Sequence, residues 1–147
     1  MKKRVFGFIV IVGIATSLMA GGRFIRDDVK EVVIDNETHL MWQDNGDVRA
    51  LTTTWQDAID FCENFTLGGY TDWHLPNINE LESIVDKSRV SPSIDPTFQQ
   101  TKNLFFWSST TYAYYTPNVR VVDFMSGNLN RSNKIWTSKI RCVRDNN

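Results

Sequence analysis

Cys62 and Cys142, the two cysteines of this 147-residue chain, stand 80 residues apart. Joined, they would tie the middle of the chain to its end; left free, they would be two buried thiols. The compartment bears on which applies. Lys2, Lys3 and Arg4 precede an apolar run from Val5 to Ile14, and small or apolar residues continue to Ala20. That is the order of a secretory signal peptide, with cleavage expected after Ala20 and an uncleaved anchor as the alternative. The run from Val5 to Ala20 is 16 residues, short for a bilayer span, so no membrane span is expected after cleavage. In an oxidising compartment an even, distant pair favours a disulfide over a metal or catalytic site. Closing so long a loop is worth roughly 4 kcal/mol.

The rest of the composition excludes function classes. At 41% hydrophobic, with five Trp, nine Phe and four Tyr, the chain has large rigid side chains to bury and room for one domain. Its 16 basic and 17 acidic residues do not suit a dedicated nucleic-acid binder, and two cysteines cannot build a four-cysteine zinc site. Without the leader the balance is 13 basic to 17 acidic, unevenly placed. Residues 21–117 hold 7 Lys/Arg against 15 Asp/Glu, whereas residues 118–147 hold 6 against 2. Arg131, Lys134, Lys139, Arg141 and Arg144 either draw an anionic partner to that end or pair with the acidic remainder.

The pattern along the chain predicts an α+β fold. After a polar lead-in over residues 21–30, the apolar runs at 31–35 and 39–43 read as a hairpin. Asp44-Asn-Gly-Asp47 is turn chemistry without the spacing of a calcium loop, so a solvated turn is expected there. Trp55, Ala58, Ile59, Cys62 and Phe65 recur at helical spacing after Thr52–Thr54, with Gly68-Gly69 as a stop. Pro76 keeps Trp73-His-Leu-Pro extended, and Asn77 with Glu80 forms a capping box for a second helix carrying Leu81, Ile84 and Val85. A loop over 87–103 is anchored by Ile94 and Phe98. Strand signals follow at 104–111, 118–125, 128–131 and 139–144, with a turn at Ser126-Gly127. In the last strand, alternation places Ile140 and Cys142 on one face and Arg141 and Val143 on the other.

Asp35, Thr38-His-Leu-Met-Trp42-Gln, Trp55, Ala58, Cys62, Gly69-Tyr-Thr-Asp-Trp-His-Leu-Pro76, Glu80-Leu81, Phe106-Trp-Ser-Ser109, Gly127 and Arg141-Cys-Val-Arg144 occur in an order and spacing that resembles the Lcl C-terminal domain family, found at the end of a bacterial collagen-like adhesin. The resemblance spans about residues 31–145, the domain that follows the leader and lead-in. It implies a C-type-lectin-like fold, two helices beside antiparallel sheets, with a long-range disulfide from the first helix to the last strand. For the founding adhesin it implies binding of sulfated glycosaminoglycans. His74 stands where the family usually has Arg, so an ion pair there, for example with Glu80, becomes pH-sensitive. The collagen-like stalk that would supply multivalency is not written in these residues. The calcium-binding triplets of sugar-chelating animal lectins are also missing, so no metal or other cofactor is expected.

Catalytic chemistry finds little to work with. His39 and His74 lack metal-ligand spacing, and Ser108-Ser109 lacks a nucleophile elbow, so no enzyme activity is expected. The candidate ligand-binding residues are Tyr112, Tyr114 and Tyr115 in one polar loop, and Arg131, Lys134, Trp136 and Lys139 towards the last strand. Aromatic faces stack on sugar rings while Arg and Lys bond sulfate, carboxylate or phosphate. Trp42, Trp55, Trp73 and Trp107 read instead as framework. The sequence thus reads as an exported, non-catalytic binding domain, periplasmic, surface-bound or secreted. Its expected partner is an anionic glycan, or alternatively a protein of an envelope assembly.

Overall fold

The computed structural model describes residues 21–102 and 104–147. The leader expected over residues 1–20 lies outside them. Among the described residues, seven strands form two antiparallel sheets. The larger has the order β1-β2-β3-β7, from Phe24–Asp27, Val32–Asp35, Leu40–Gln43 and Val143–Asp145. The smaller is β4-β5-β6, from Phe105–Thr111, Asn118–Asp123 and Asn128–Asn133. The expected hairpin is β2–β3, with Val32 opposite Gln43 and Asp35 opposite Leu40. The stretch 21–30, expected only as a polar lead-in, contains β1, which pairs with β2 from Phe24↔Asp35 to Asp27↔Val32. Its polar sequence suits an edge strand.

Three helical segments connect these strands. The short α1, Asp47–Ala50, was not anticipated; it buries Val48. Helix α2, Trp55–Glu63, begins at Thr54, whose hydroxyl accepts from the Asp57 amide, and buries Ala58 and Cys62. Helix α3, Ile78–Ser83, has the full capping box: the Asn77 side chain accepts from the Glu80 amide, and the Glu80 carboxylate accepts from that of Asn77. Such reciprocal capping lets a helix of little more than one turn start at a defined residue.

Alternation along β2 feeds two buried clusters. Val33 joins Trp42, Leu81, Ile84, Phe106 and Phe124, while Val32 joins Met41, Ala58, Trp73, Trp107 and Ile140. Helix α3 serves the first cluster and α2 the second. Ile94 and Phe98 anchor the 87–103 loop in the first cluster as expected. At Gly127, φ is +74° and a Cβ would lie 3.0 Å from Val85 Cγ1, so the β5–β6 turn needs glycine for both conformation and space.

The C-terminal segment joins the two sheets. Residues 138 and 139 pair with Thr53 and Phe106, and Val143 pairs with both Trp42 and His74. Cys142 forms a disulfide with Cys62 of α2, spanning 80 residues. Because partners lie on every side, Ser138 to Arg144 is buried throughout. The strand expected over residues 139–144 is a ladder strand only over Val143–Asp145, the preceding residues being held by isolated bridges. Among the described residues, no helix is long and apolar enough to cross a membrane.

Candidate binding site

The basic cluster at the C-terminal end separates into residues that hold the fold and residues that face outward. Arg141 is fully buried: its guanidinium donates to the Asp44 carboxylate at 2.8 Å, to the carbonyls of Gln43 and Gln100, and to the Thr101 hydroxyl. Burial, with the nearby Arg26 charge, lowers its pKa to about 9, which leaves it cationic at neutral pH. Asp44 also pairs with Arg26 and accepts the Gln99 and Gln100 amides. The solvated turn expected at Asp44-Asp47 is thus replaced by a buried carboxylate, since three distant segments bring donors to Asp44. Arg144 makes a two-pronged pair with Asp72, at 2.6 and 2.9 Å, and its guanidinium lies 4.0 Å from the Tyr70 ring centroid. Its pKa is raised, chiefly by the Asp72 hydrogen bond.

Lys139, a candidate ligand residue in the sequence, is only 5% exposed. Its backbone is held to Phe105 and Trp107 of β4, and its Nζ donates to the Arg49 carbonyl at 2.8 Å. Burial, reinforced by the Lys102 charge, lowers its pKa. It therefore belongs with the framework and not with a ligand surface.

The outward-facing basic residues lie on the smaller sheet. The β5–β6 hairpin sets Arg120 directly opposite Arg131. Tyr112 follows the end of β4, and its amide donates to the Asn118 carbonyl, which lays its ring beside both arginines. Each guanidinium carbon is 5.1 Å from the Tyr112 ring centroid, and Arg131 Nη1 donates to the Tyr112 hydroxyl at 3.2 Å. These three side chains, with Leu129 and Asn130, line an open concavity of about 280 Å³. Among the described residues, neither Arg120 nor Arg131 has a carboxylate within 4 Å, whereas Arg23, Arg26, Arg141 and Arg144 each have one. Like charges directly opposite in an antiparallel pair oppose folding, so an unneutralised pair is a feature that stability alone does not account for.

Arg120 was missed from the sequence. Its signal was there: a charged residue in the run Val119-Arg-Val-Val, in a hairpin pivoting on residues 124–127 that puts it across from Arg131.

The remaining candidates sit at one end of the same sheet. The Lys134 amide donates to the Pro117 carbonyl, which joins the loops after β4 and after β6. Lys134 Nζ lies 4.3 Å from the Trp55 ring centroid. Tyr114 packs its ring 5.6 Å from that of Tyr112, while Tyr115 and Trp136 are exposed. Trp42, Trp73 and Trp107 are buried and Trp55 half-buried. The Trp107 and Trp55 indoles donate to the carbonyls of Thr53 and Ser108, a framework role.

In the segment before α3, His74 Nε2 lies 3.3 Å from both Glu80 carboxylate oxygens, the pairing expected from the sequence. The Glu80 hydrogen bond raises the His74 pKa against its partial burial, with Asp145 and Asp72 adding to the rise. For Glu80, burial pushes upward, but the bonds from His74 and the Asn77 amide outweigh it and lower its pKa. No group of three or more His, Cys, Asp and Glu side chains that could hold a metal occurs among the described residues.

The model of the Lcl C-terminal domain matches residues 31–144. The chain belongs to the Lcl C-terminal domain family. Within this Lcl C-terminal domain, the family segments Trp42, Trp73, Trp107 and Arg141-Cys-Val-Arg144 are the buried framework just described, while Arg120, Tyr112 and Arg131 lie on its surface. Membership points to a surface- or adhesin-related domain. No curated protein matches the chain significantly.

Proposed function

We propose that this Lcl C-terminal domain is an exported, non-catalytic binding module with a C-type-lectin-like fold, and that it recognises an anionic extracellular glycan. The observation that carries this reading is the unneutralised Arg120–Arg131 pair around Tyr112, at the mouth of a concavity of about 280 Å³. Two guanidiniums offer planar donors to sulfate or carboxylate groups, and an aromatic face between them suits a sugar ring. Open access and a lining that, among the described residues, contains no carboxylate or imidazole suit reversible recognition better than bond breaking.

The test is retention on immobilised heparin, eluted by salt. The wild-type chain is expected to bind and to elute at higher salt than Arg120→Ala, and an Arg120→Ala/Arg131→Ala variant to pass through. Retention unchanged in the double variant would remove the site.

A protein-binding reading for an envelope assembly has its own observation. Leu104, Phe105 and Met125 are exposed around a separate concavity of about 220 Å³. Loss of an envelope partner by Phe105→Ser, with heparin retention intact, would favour it.

A further inference from the structure

Beyond the Arg120–Tyr112–Arg131 concavity, the same end of the small sheet carries an exposed apolar tip. Strand β6 ends in a tight turn: the Trp136 amide donates to the Asn133 carbonyl at 3.0 Å, and the Asn133 side chain accepts from the Ile135 amide at 3.1 Å. Asn133 thereby fixes Ile135 and Trp136 at the apex, where they are 78% and 64% exposed. Tyr114 and Tyr115, 88% and 57% exposed, stand in the adjoining loop, which the Lys134–Pro117 hydrogen bond holds against the turn. Folding normally buries such side chains; four of them held outward in a pinned geometry mark a contact surface.

The occupant follows from shape and charge. Four exposed apolar or aromatic side chains on two hydrogen-bonded turns form a small discontinuous surface rather than a groove, which suits insertion into a fluid interface. Trp and Tyr favour the boundary between headgroups and hydrocarbon, and an aliphatic side chain beside them adds apolar depth. Residues 112–120 and 131–137 contain Arg120, Arg131 and Lys134 and no Asp or Glu. Basic residues close to an anionic bilayer strengthen partitioning by about fivefold each. We infer that the Ile135–Trp136 tip docks the domain peripherally on an anionic phospholipid surface, with Tyr114 and Tyr115 at headgroup level and the three cations towards lipid phosphates.

The test uses the exported protein, its N-terminus established by mass spectrometry so that no leader contributes. It is mixed with vesicles of phosphatidylcholine alone or with about 30% phosphatidylglycerol, a typical anionic surface. Sedimentation with the anionic vesicles only is expected, weakened by salt. An Ile135→Ser/Trp136→Ser variant, with an unchanged melting temperature because both residues are exposed, should partition at least about tenfold less. Brominated lipid should quench wild-type fluorescence, since the other tryptophans are buried or half-buried in the framework. Equal partitioning of the variant, no binding to anionic vesicles, or a wild-type dimer that the variant dissolves would each overturn the inference. These vesicles carry no sugar, so the outcome is independent of heparin retention, and either reading can fail alone.

Discussion

Arg131→Glu separates binding from stability. In the wild-type hairpin Arg131 faces Arg120, and like charges directly opposite cost about 0.2–1 kcal/mol. Reversal removes that repulsion and adds an attraction of about the same size. Against this stands the loss of the guanidinium–Tyr112 contact, worth about 0.5–1 kcal/mol at an exposed position. The net expectation is a stability between a loss of about 0.6 kcal/mol and a gain of about 1.5 kcal/mol, each kcal/mol moving Tm by about 3–5 °C in a domain of this size. In the same protein, heparin retention should weaken, and the slope of log affinity against log salt should fall by about one or more, as for any polyanion contact. Thermal melts by circular dichroism at low and high salt, run beside salt elution, read both quantities. Any stability gain should shrink at high salt, where exposed charges are screened. A loss of more than about 1 kcal/mol with retention intact would show that Arg131 is a strut of the hairpin, and the argument from the unpaired arginines would fall.

Asp44→Asn should destabilise by about 3–5 kcal/mol in chemical denaturation, because it leaves Arg141 charged and buried; Asp72→Asn, at a carboxylate 61% exposed but paired with an Arg144 side chain 9% exposed, should cost less, under about 2 kcal/mol. Replacing both Cys62 and Cys142 with Ala should cost about 4 kcal/mol by loop-closure entropy, and a cost under about 1 kcal/mol would refute that account. The raised His74 pKa gives a stabilisation fully present below the ordinary value of 6.5 and lost as pH rises through the higher folded-state value. His74→Arg should hold the Glu80 pair across that window and flatten the pH dependence of Tm; an unchanged slope would assign it to other groups.

The elements legible in the sequence were those governed by neighbours along the chain. The Asn77–Glu80 box, the helical spacing of Ala58 and Cys62, the apolar runs of β2 and β3 and the turn at Gly127 each satisfy backbone groups or supply buried side chains within a few residues. The Cys62–Cys142 bridge was proposed from spacing and compartment, and the His74–Glu80 pair from a family departure; both are present in the structure.

The sequence by itself determined where α2 and α3 start, which runs form the first hairpin and that one chain end is basic, because those properties depend on residue type and local period. Only the tertiary structure decided what each charge does. Burial depends on segments far apart in the chain: Asp44 meets Arg26, Arg141 and the amides of Gln99 and Gln100, and Lys139 lies between the sheets where it reaches the Arg49 carbonyl. Cross-strand register, in turn, set Arg120 against Arg131 and left the pair without a carboxylate. The cationic cluster thus became two populations, one held inside the fold by a carboxylate or, for Lys139, a carbonyl, and one held at its surface, because a charge in the interior requires a partner and a charge in water does not.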